Sequence, residues 1–309
     1  MIAARNEEGR IGKCLDSLLN QTYSDYEIVV VNDGSTDRTA EIVISYIEKT
    51  PSKIKLHSTP GLGPRAAFNS GIKAAASEVV ACIGADDEVN PEYLERLMKH
   101  FEDSKVIGVC VRMVYRSGTK TWGKVQDVWK TFRSGGEIGR FPMVFKKQVF
   151  EEIGGFTGRL SVGEDYDINK KMKQYTERND LKMEAEPGAV YYCVSEDTLP
   201  SIYRHAVKFG EKLPPTVKYY PIFGGPILLW SIFNAIIIVA IPLAMLQMLR
   251  DLIFLYLVVY VLLWLSILVW IPIKKKVNYS ARYYLLTPVL QIVSGIGVSV
   301  GVVKALIDI

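Results

Sequence analysis

The sequence lacks the cysteine spacing of a metal centre. Its 309 residues include four cysteines, and these are scattered at Cys14, Cys82, Cys110 and Cys193. Short Cys-x-x-Cys spacings are absent, which excludes a cysteine-based zinc site by pattern. Cys82 also falls in an apolar run that predicts a buried strand. We therefore interpret the cysteines as reduced structural residues of a cytoplasmic domain.

A strong charge imbalance is lacking too, and the N-terminal residues do not have the composition of a signal peptide. The net charge is only +4, and no compact basic module interleaved with aromatic residues stands out, so nucleic acid is not expected as a partner. Charged residues occur from Arg5 to Glu8, and we expect no signal peptide before the fold. Met1–Ala4 is typical of the end of a strand. Because the segment is short, we expect this strand to begin at or before Met1.

Apolar residues make up 49% of the chain but are unevenly distributed. The sequence is charged and mixed up to about Lys218 and almost continuously apolar beyond it. We expect a globular cytoplasmic domain over residues 1–198, an amphipathic interfacial helix with a linker over 199–220, and a transmembrane domain over 221–309.

Three transmembrane helices are predicted, at about 223–248, 252–273 and 284–306. Gly295, Gly297 and Gly301 in the third would allow close contact with another helix. Basic residues cluster before the first span and between the second and third, whereas the turn at residues 250–251 is balanced. This asymmetry predicts an integral protein of the cell membrane, with its globular domain in the cytoplasm and its C-terminus outside.

Strands and helices alternate over the first hundred residues, which favours an α/β fold with a mostly parallel sheet. Apolar spacing predicts helices at Glu8–Gln21 and Arg65–Ala76, and strands at Tyr26–Val31 and Ile54–His57. Ser35 or Thr36 could cap the helix that follows the second strand.

The stretch Val79–Glu88 organises this part of the chain. Val79–Ile83 predicts a buried strand, and Asp86, Asp87 and Glu88 follow it after a small-residue turn. Open α/β sheets bind ligands at the carboxyl ends of their strands. A divalent cation would relieve the repulsion among the three carboxylates, and oxygen ligands suit Mg²⁺ or Mn²⁺. The alternative is a solvated acidic turn before the helix that begins at Pro91.

The next part of the chain is less regular. Arg116–Arg140 is basic and contains glycines, so we interpret it as a solvated, mobile loop or as a segment that approaches anionic substrate or lipid headgroups. A helix over Tyr166–Tyr175 and a final strand over Val190–Val194 are predicted.

Five segments resemble the family 2 glycosyltransferases, which have the GT-A, Rossmann-like fold. They are Ala3–Glu7, Val31–Asp37, Gly63–Asn69, Gly84–Asp87, and Gly154–Phe156 followed by Gly163–Asp165, in the family's order within residues 1–210. The resemblance implies that residues 1–198 form a GT-A catalytic domain. It also implies inverting transfer of a sugar from a nucleotide-sugar donor.

The resemblance assigns a donor site to Ala3, Arg5, Glu7, Asp33, Arg65, Asp86 and Asp87. Glu7 and Asp33 would follow adjacent parallel strands and accept hydrogen bonds from the nucleotide. Asp33 could instead only stabilise its own turn. Arg65 could face the donor phosphates or form a surface ion pair.

The metal motif departs from the family pattern. Where the family usually has Asp-x-Asp, this chain has Gly84-Ala85-Asp86. We expect Asp86 to bind Mn²⁺ or Mg²⁺ and Glu88 to supply a second oxygen, since related polyprenyl-phosphate sugar synthases have a glutamine at that position. The cation would neutralise the departing nucleoside diphosphate as a Lewis acid.

The resemblance makes Asp165 the general base that takes the acceptor's proton, with Glu164 orienting the acceptor. Both residues could also simply begin a helix, where carboxylates are favoured by the helix dipole. A retained Glu164-Asp165 pair favours a hydroxyl acceptor over a phosphate.

The expected interfacial helix, Leu199–Lys212, contains His205, Lys208 and Phe209, a loose echo of the QxxRW motif of cellulose-synthase-like enzymes. This helix would cover the acceptor site. We expect single-sugar addition to a lipid-linked saccharide, with GDP-mannose as the first donor and UDP-glucose as the next. The alternatives are a polyprenyl-phosphate sugar synthase and a non-catalytic membrane scaffold.

Overall fold

The computed structural model describes residues 1–116, 120–134, 142–157, 164–194, 197–219, 254–262 and 281–307, together with 227, 229, 232, 236 and 264. The chain forms two compact units. The first comprises Met1–Val114, Gly136–Gly158 and Glu164–Val194, and the second comprises Tyr115–Gly135, Arg159–Gly163 and Ser195–Ile309.

The first unit alternates strands and helices. Its strands are β1 (Ile2–Ala4), β2 (Ile28–Asp33), β3 (Ile54–Thr59), β4 (Val79–Ala81), β5 (Ile83–Gly84), β6 (Glu88–Val89), β7 (Val106–Arg116, whose last two residues belong to the second unit), β8 (Pro142–Lys146) and β9 (Lys182–Val194). Its helices are α1 (Ile11–Leu19), α2 (Thr39–Lys49), α3 (Pro64–Ala74), α4 (Tyr93–His100), α6 (Lys147–Glu152) and α7 (Glu164–Asn179). The α/β fold is thereby confirmed.

A parallel sheet of order β3-β2-β1-β5 lies at the centre of this unit. Every residue of β2 is buried. Ile28 and Val30 belong to one apolar core, and Val29 and Val31 belong to another. Because successive side chains of a strand point to opposite faces, both faces of the sheet are covered.

The predicted strand Val79–Ile83 is divided between two sheets. β4 pairs antiparallel with β8, whereas β5 pairs parallel with β1, and the amide of Cys82 donates to the carbonyl of Met143 (2.8 Å) at the crossing. The second sheet has the order β4-β8-β7-β9-β6 and contains antiparallel pairs. The prediction of one continuous strand is wrong, because an apolar run does not reveal which partners its backbone pairs with.

The predicted cap of α2 is also wrong. The helix begins at Thr39 after Arg38, without a side-chain cap. The Ser35 hydroxyl accepts from the Asn6 amide (3.1 Å), and the Thr36 amide donates to Oδ1 of Asn6 (2.8 Å). The turn after β2 therefore contacts the turn after β1.

Apart from the end of β7, the described elements of the second unit are helices: α5 (Thr121–Ser134), α8 (Leu199–Glu211), α9 (Leu213–Tyr219) and α10 (Ala281–Ile307). The helix α5 corrects the prediction of a loop across Arg116–Arg140. Glycines within and beside the segment suggested a loop, but α5 forms nevertheless, and its Val125 packs with Ile202 and Leu290.

The helices α8 and α10 meet backbone to backbone. A Cβ atom on Gly210 would lie 2.0 Å from the carbonyl oxygen of Val298, and one on Gly301 would lie 2.0 Å from that of Val207. A Cβ atom on Gly297 would meet Ala206 at 2.7 Å. The expected role of glycines in close helix contact is thus confirmed for Gly297 and Gly301.

One described segment, Leu286–Ala305 of α10, is long and apolar enough to cross a membrane by length and composition. The first two predicted spans, 223–248 and 252–273, lie largely outside the described residues. These two spans therefore remain predictions.

Candidate active site

The carboxyl ends of three parallel strands lie side by side in the first unit. Ala3 of β1 is in register with Val31 of β2 on one side and with Gly84 of β5 on the other. The polar segments that follow these strands, which contain Glu7, Asp33 and Asp86, therefore meet at one edge. This is the edge at which such sheets bind ligands.

Asp33 holds the loop that leads into α3. Its side chain is buried; Oδ1 accepts from the Thr59 hydroxyl (2.6 Å) and the Leu62 amide (2.7 Å), and Oδ2 accepts from the Gly63 amide (2.7 Å). Burial alone would raise the pKa of Asp33, but these hydrogen bonds and the nearby Arg5 outweigh it and lower the pKa. Asp33 is therefore an anion fixed by three hydrogen bonds.

The residues after β1 are held by hydrogen bonds that their backbone amides donate. The Glu7 amide donates to the Thr39 hydroxyl (2.7 Å), and the Glu8 amide donates to Oδ2 of Asp37 (3.1 Å). The exposed Arg5 side chain lies against Gly61 in the loop that Asp33 holds. The predicted donor residues Arg5 and Asp33 are thus neighbours.

Arg10 lies between two of the predicted site carboxylates. Its Nε atom is 2.8 Å from Oε2 of Glu7, and its Nη1 atom is 3.4 Å from Oδ2 of Asp86. Burial raises the pKa of Glu7; Arg10 opposes this increase, and Asp86 adds to it. Sequence reasoning missed Arg10. The available signal was its position three residues after Glu7, a spacing that brings side chains together at a helix start.

The residues Gly84 and Asp87 share one small volume. A Cβ atom on Gly84 would lie 2.4 Å from Oδ2 of Asp87 and 3.1 Å from Oδ1 of Asp86. The hydroxyl of the buried Tyr191 accepts from the Gly84 amide and donates to Oδ2 of Asp87, both at 2.7 Å. Glycine at residue 84, where the family usually has aspartate, leaves room for the Asp87 carboxylate.

Asp87 therefore does not cap the helix near Pro91, as an isolated acidic turn would. Its Oδ1 accepts from the Val194 amide (3.3 Å). The helix α4 begins at Tyr93 after Glu92, without a side-chain cap. Asp87 joins the turn after β5 to β9 instead.

Asp86 is the residue at this edge that could hold a divalent cation. Its side chain is 37% exposed, and a carboxylate oxygen is a suitable ligand for Mn²⁺ or Mg²⁺. Among the described residues, no group of three or more histidine, cysteine, aspartate or glutamate side chains could hold a metal ion. Glu88 is the first residue of β6, opposite Tyr192 of β9. Water or substrate oxygens would complete the coordination of a cation held by Asp86.

A second set of contacts fixes the turn before α7. The Asn69 side chain of α3 donates to the Phe156 carbonyl (2.9 Å) and accepts from the Phe156 amide (3.1 Å). Lys171 of α7 donates to the Gly155 carbonyl (3.2 Å) and pairs with the buried Asp167 at 2.9 Å. The helix α7 is thus connected to α3 through Gly155 and Phe156.

The side chains of Glu164 and Asp165 lie outside the described residues, although their backbone begins α7. Their catalytic assignment stays a prediction. Arg65 is half-buried in the first turn of α3, directly after the loop held by Asp33.

The predicted acceptor residues lie on α8 of the second unit. His205 and Lys208 are exposed, whereas Phe209 packs against the core formed by Ala206, Leu213 and Val298. The three side chains therefore do not share one environment.

Comparison with curated proteins reveals glycosyltransferase relatives. An uncharacterized glycosyltransferase, alr2836, of Nostoc sp. is 40% identical over 166 residues, which are 50% of this chain and 52% of that protein. The poly-beta-1,6-N-acetyl-D-glucosamine synthase of Staphylococcus epidermidis is 25% identical over 224 residues, 68% of this chain and 53% of that protein. The chain thus spans about half of the length of these relatives.

The fold is similar to that of a solved structure. Residues 1–349 of S. aureus TarS match with a TM-score of 0.50 and 21% identity, over 72% of each chain. The family model for glycosyl transferase family 2 matches residues 1–163, more than half of the chain. Together with the strand-end carboxylates described above, this match shows that the chain belongs to the family 2 glycosyltransferases.

Proposed function

We propose that this chain is an inverting, metal-dependent glycosyltransferase that adds one sugar from a nucleotide-sugar donor to a lipid-linked saccharide at a membrane. The single observation that carries the proposal is the convergence of Asp33, Glu7 and Asp86 at the carboxyl edge of the parallel sheet. Family membership over residues 1–163 supports the activity class.

The donor nucleotide would be bound beside β1 and β2. Asp33 is a fixed anion, and its carboxylate would accept a hydrogen bond from a base or ribose of the donor. Ala3, Arg5 and Arg65 border the same edge and would contact the nucleotide and its phosphates. The donor diphosphate would then extend toward Asp86.

Asp86 would hold Mn²⁺ or Mg²⁺, with Glu88 as the predicted second ligand. The cation would neutralise negative charge on the departing diphosphate. The acceptor hydroxyl would lose its proton to Asp165, with Glu164 orienting the acceptor. Because inversion requires attack from the face opposite the leaving group, the base must lie across the donor sugar from Asp86.

Exposed apolar side chains in the second unit support membrane association. Leu229 is 69% exposed, Phe254 is 68% exposed and Leu262 is 59% exposed. Such surfaces mark contact with lipid or protein. The face of α8 with Arg204, His205 and Lys208 is charged and exposed, so we place α8 at the headgroup level and the apolar part of α10 in the membrane beside it.

GDP-mannose and UDP-glucose remain the donors proposed from the sequence. The relative whose name gives an N-acetyl-D-glucosamine polymer, and the TarS structure in complex with UDP-GlcNAc, add UDP-GlcNAc to the panel. The second candidate functions are a polyprenyl-phosphate sugar synthase and a non-catalytic scaffold.

The test is a donor screen with the purified full chain. Release of nucleoside diphosphate from GDP-mannose, UDP-glucose and UDP-GlcNAc would be measured with Mn²⁺, with and without membrane lipid extract, and after adding EDTA. We expect one donor to be turned over in a lipid-stimulated, EDTA-sensitive reaction. Turnover with polyprenyl phosphate alone would favour the synthase, and absence of turnover and of nucleoside diphosphate binding would favour the scaffold.

A further inference from the structure

We propose that Arg10 is a positioning residue that neutralises Asp86 until the divalent cation binds and then pairs with the donor diphosphate. This inference rests on the proposed function, because it concerns the same metal and donor site. It assigns a role to a residue that lies outside every motif by which the family was recognised.

The two contacts of Arg10 are unequal. The contact with Glu7 is 2.8 Å, and the Glu7 side chain is only 18% exposed; the contact with Asp86 is 3.4 Å, and Asp86 is 37% exposed. Glu7 is also fixed through its backbone, because its amide donates to Thr39. An exposed, longer ion pair is the weaker one. Arg10 is therefore anchored by Glu7, and its contact with Asp86 is the one that can be broken.

The charges at the edge favour such an exchange. With Glu7 and Asp86 ionised, one guanidinium leaves the group with one excess negative charge. A divalent cation at Asp86 would instead leave one excess positive charge, and it would repel the guanidinium. The diphosphate of a donor supplies negative charge at that moment, and the planar guanidinium matches phosphate oxygens in pairs.

The experiment measures two affinities that should change in opposite directions when Arg10 is replaced. Mn²⁺ binding to the full chain without substrate would be titrated by electron paramagnetic resonance. Binding of UDP and of GDP at saturating Mn²⁺ would be measured by calorimetry. For Arg10→Gln we expect Mn²⁺ to bind about two- to fivefold more tightly. The better-bound nucleoside diphosphate should bind about five- to twentyfold more weakly.

Two further variants control the result. Arg38→Gln removes an arginine that pairs with Glu41 (3.3 Å) at the same three-residue spacing on the start of α2, and it should change neither affinity. Arg10→Lys retains the charge but not the planar fork, so Mn²⁺ affinity should stay near that of the wild type while nucleotide affinity falls. It also reports on the role of Arg10 if Arg10→Gln fails to fold.

Unchanged affinities in Arg10→Gln, or a loss of both, would overturn the proposal for Arg10 while leaving the proposed function intact. A wild-type chain that binds neither Mn²⁺ nor a nucleoside diphosphate would instead overturn the proposed function and the inference with it.

Discussion

The carboxylate of Asp87 occupies the space next to Gly84 in which a side chain would begin, 2.4 Å from the position of a Cβ atom. The two residues are also joined through Tyr191, whose hydroxyl bonds to the Gly84 amide and the Asp87 carboxylate. The Asp87 carboxylate can therefore occupy its present position because residue 84 has no side chain.

Replacing Gly84 by alanine should displace Asp87 and weaken its bond to Tyr191. We expect Gly84→Ala to lower the free energy of unfolding by about 1–3 kcal/mol and to raise the Mn²⁺ concentration needed for half-maximal rate. Gly9→Ala is the matched control, because an added Cβ there has nothing within 4 Å.

A double-mutant cycle tests the pairing directly. In an Asp87→Ala background the space next to Gly84 is open. Gly84→Ala should therefore lower the free energy of unfolding much less in that background than in the wild type. Strictly additive losses would show that Gly84 and Asp87 act independently.

Asp33→Ala should weaken nucleoside diphosphate binding by about 1–3 kcal/mol, because a charge-assisted hydrogen bond is lost. Since Asp33 also holds the loop before α3, Thr59→Val is the control. It removes one bond to Asp33 and keeps the carboxylate, and it should change affinity less than threefold, or about 0.6 kcal/mol. Unchanged affinity in Asp33→Ala would leave Asp33 as a turn residue only.

Asp165→Asn should reduce the transfer rate by about 10²–10⁴ while nucleoside diphosphate binding survives, because only the proton acceptor is removed. Asp167→Asn, two residues away, is the contrasting variant. Asp167 is buried against Lys171, so its replacement should lower the thermal midpoint. The transfer rate of the folded enzyme should change much less than in Asp165→Asn. Turnover at the wild-type rate in Asp165→Asn would refute the base assignment.

Chelation and one substitution test the metal prediction. EDTA should abolish transfer, and Glu88→Gln should raise the half-saturating Mn²⁺ concentration about tenfold or less, since an amide oxygen is a weaker ligand than a carboxylate. A half-saturating concentration equal to that of the wild type would leave Asp86 and the diphosphate oxygens as the ligands.

His100 gives the first unit a pH-dependent contribution to stability. Its Nδ1 atom is 2.6 Å from Glu184 and its Nε2 atom is 3.0 Å from Glu186. Burial alone would lower the pKa of His100, but the two glutamates outweigh it and raise the pKa above 6.5. A raised pKa means that the contribution is complete below the unfolded pKa and is lost as pH rises through the folded pKa.

We therefore expect the wild type to lose stability as the pH rises from about 6 to about 8.5, and His100→Gln to lose much less. Thermal unfolding at both pH values measures this difference. The exposed His57 of β3 provides a control, since His57→Gln should retain the slope of the wild type. Equal slopes in wild type and His100→Gln would contradict the assignment.

Some elements could be predicted because one local signal decides them. The β-branched run of β2, buried on both faces, can only be an inner strand, and the spacing of apolar residues in α1 and α8 fixes their buried faces. Asp33 and Asp86 could be placed at the ligand-binding edge because each follows such a strand.

Other features depend on contacts between distant residues. The division of Val79–Ile83 at Cys82 follows from pairing with β8 and β1, which no local pattern encodes. The place of Asp87 depends on Tyr191, more than a hundred residues later, and that of Arg10 depends on Asp86. Local reasoning could not include those partners, so it gave no sign of either contact.

The packing of α5 on α10 has a consequence for the order in which the chain folds during synthesis. Val125 of α5 completes its buried cluster with Leu290 of α10, which is made 165 residues later. At typical rates of elongation this interval is roughly 8 to 33 seconds. The strands and helices of the first unit, which end at Val194, are all synthesised before α10. The helix α5 therefore emerges with the first unit, but the cluster around Val125 cannot be completed until α10 has left the ribosome.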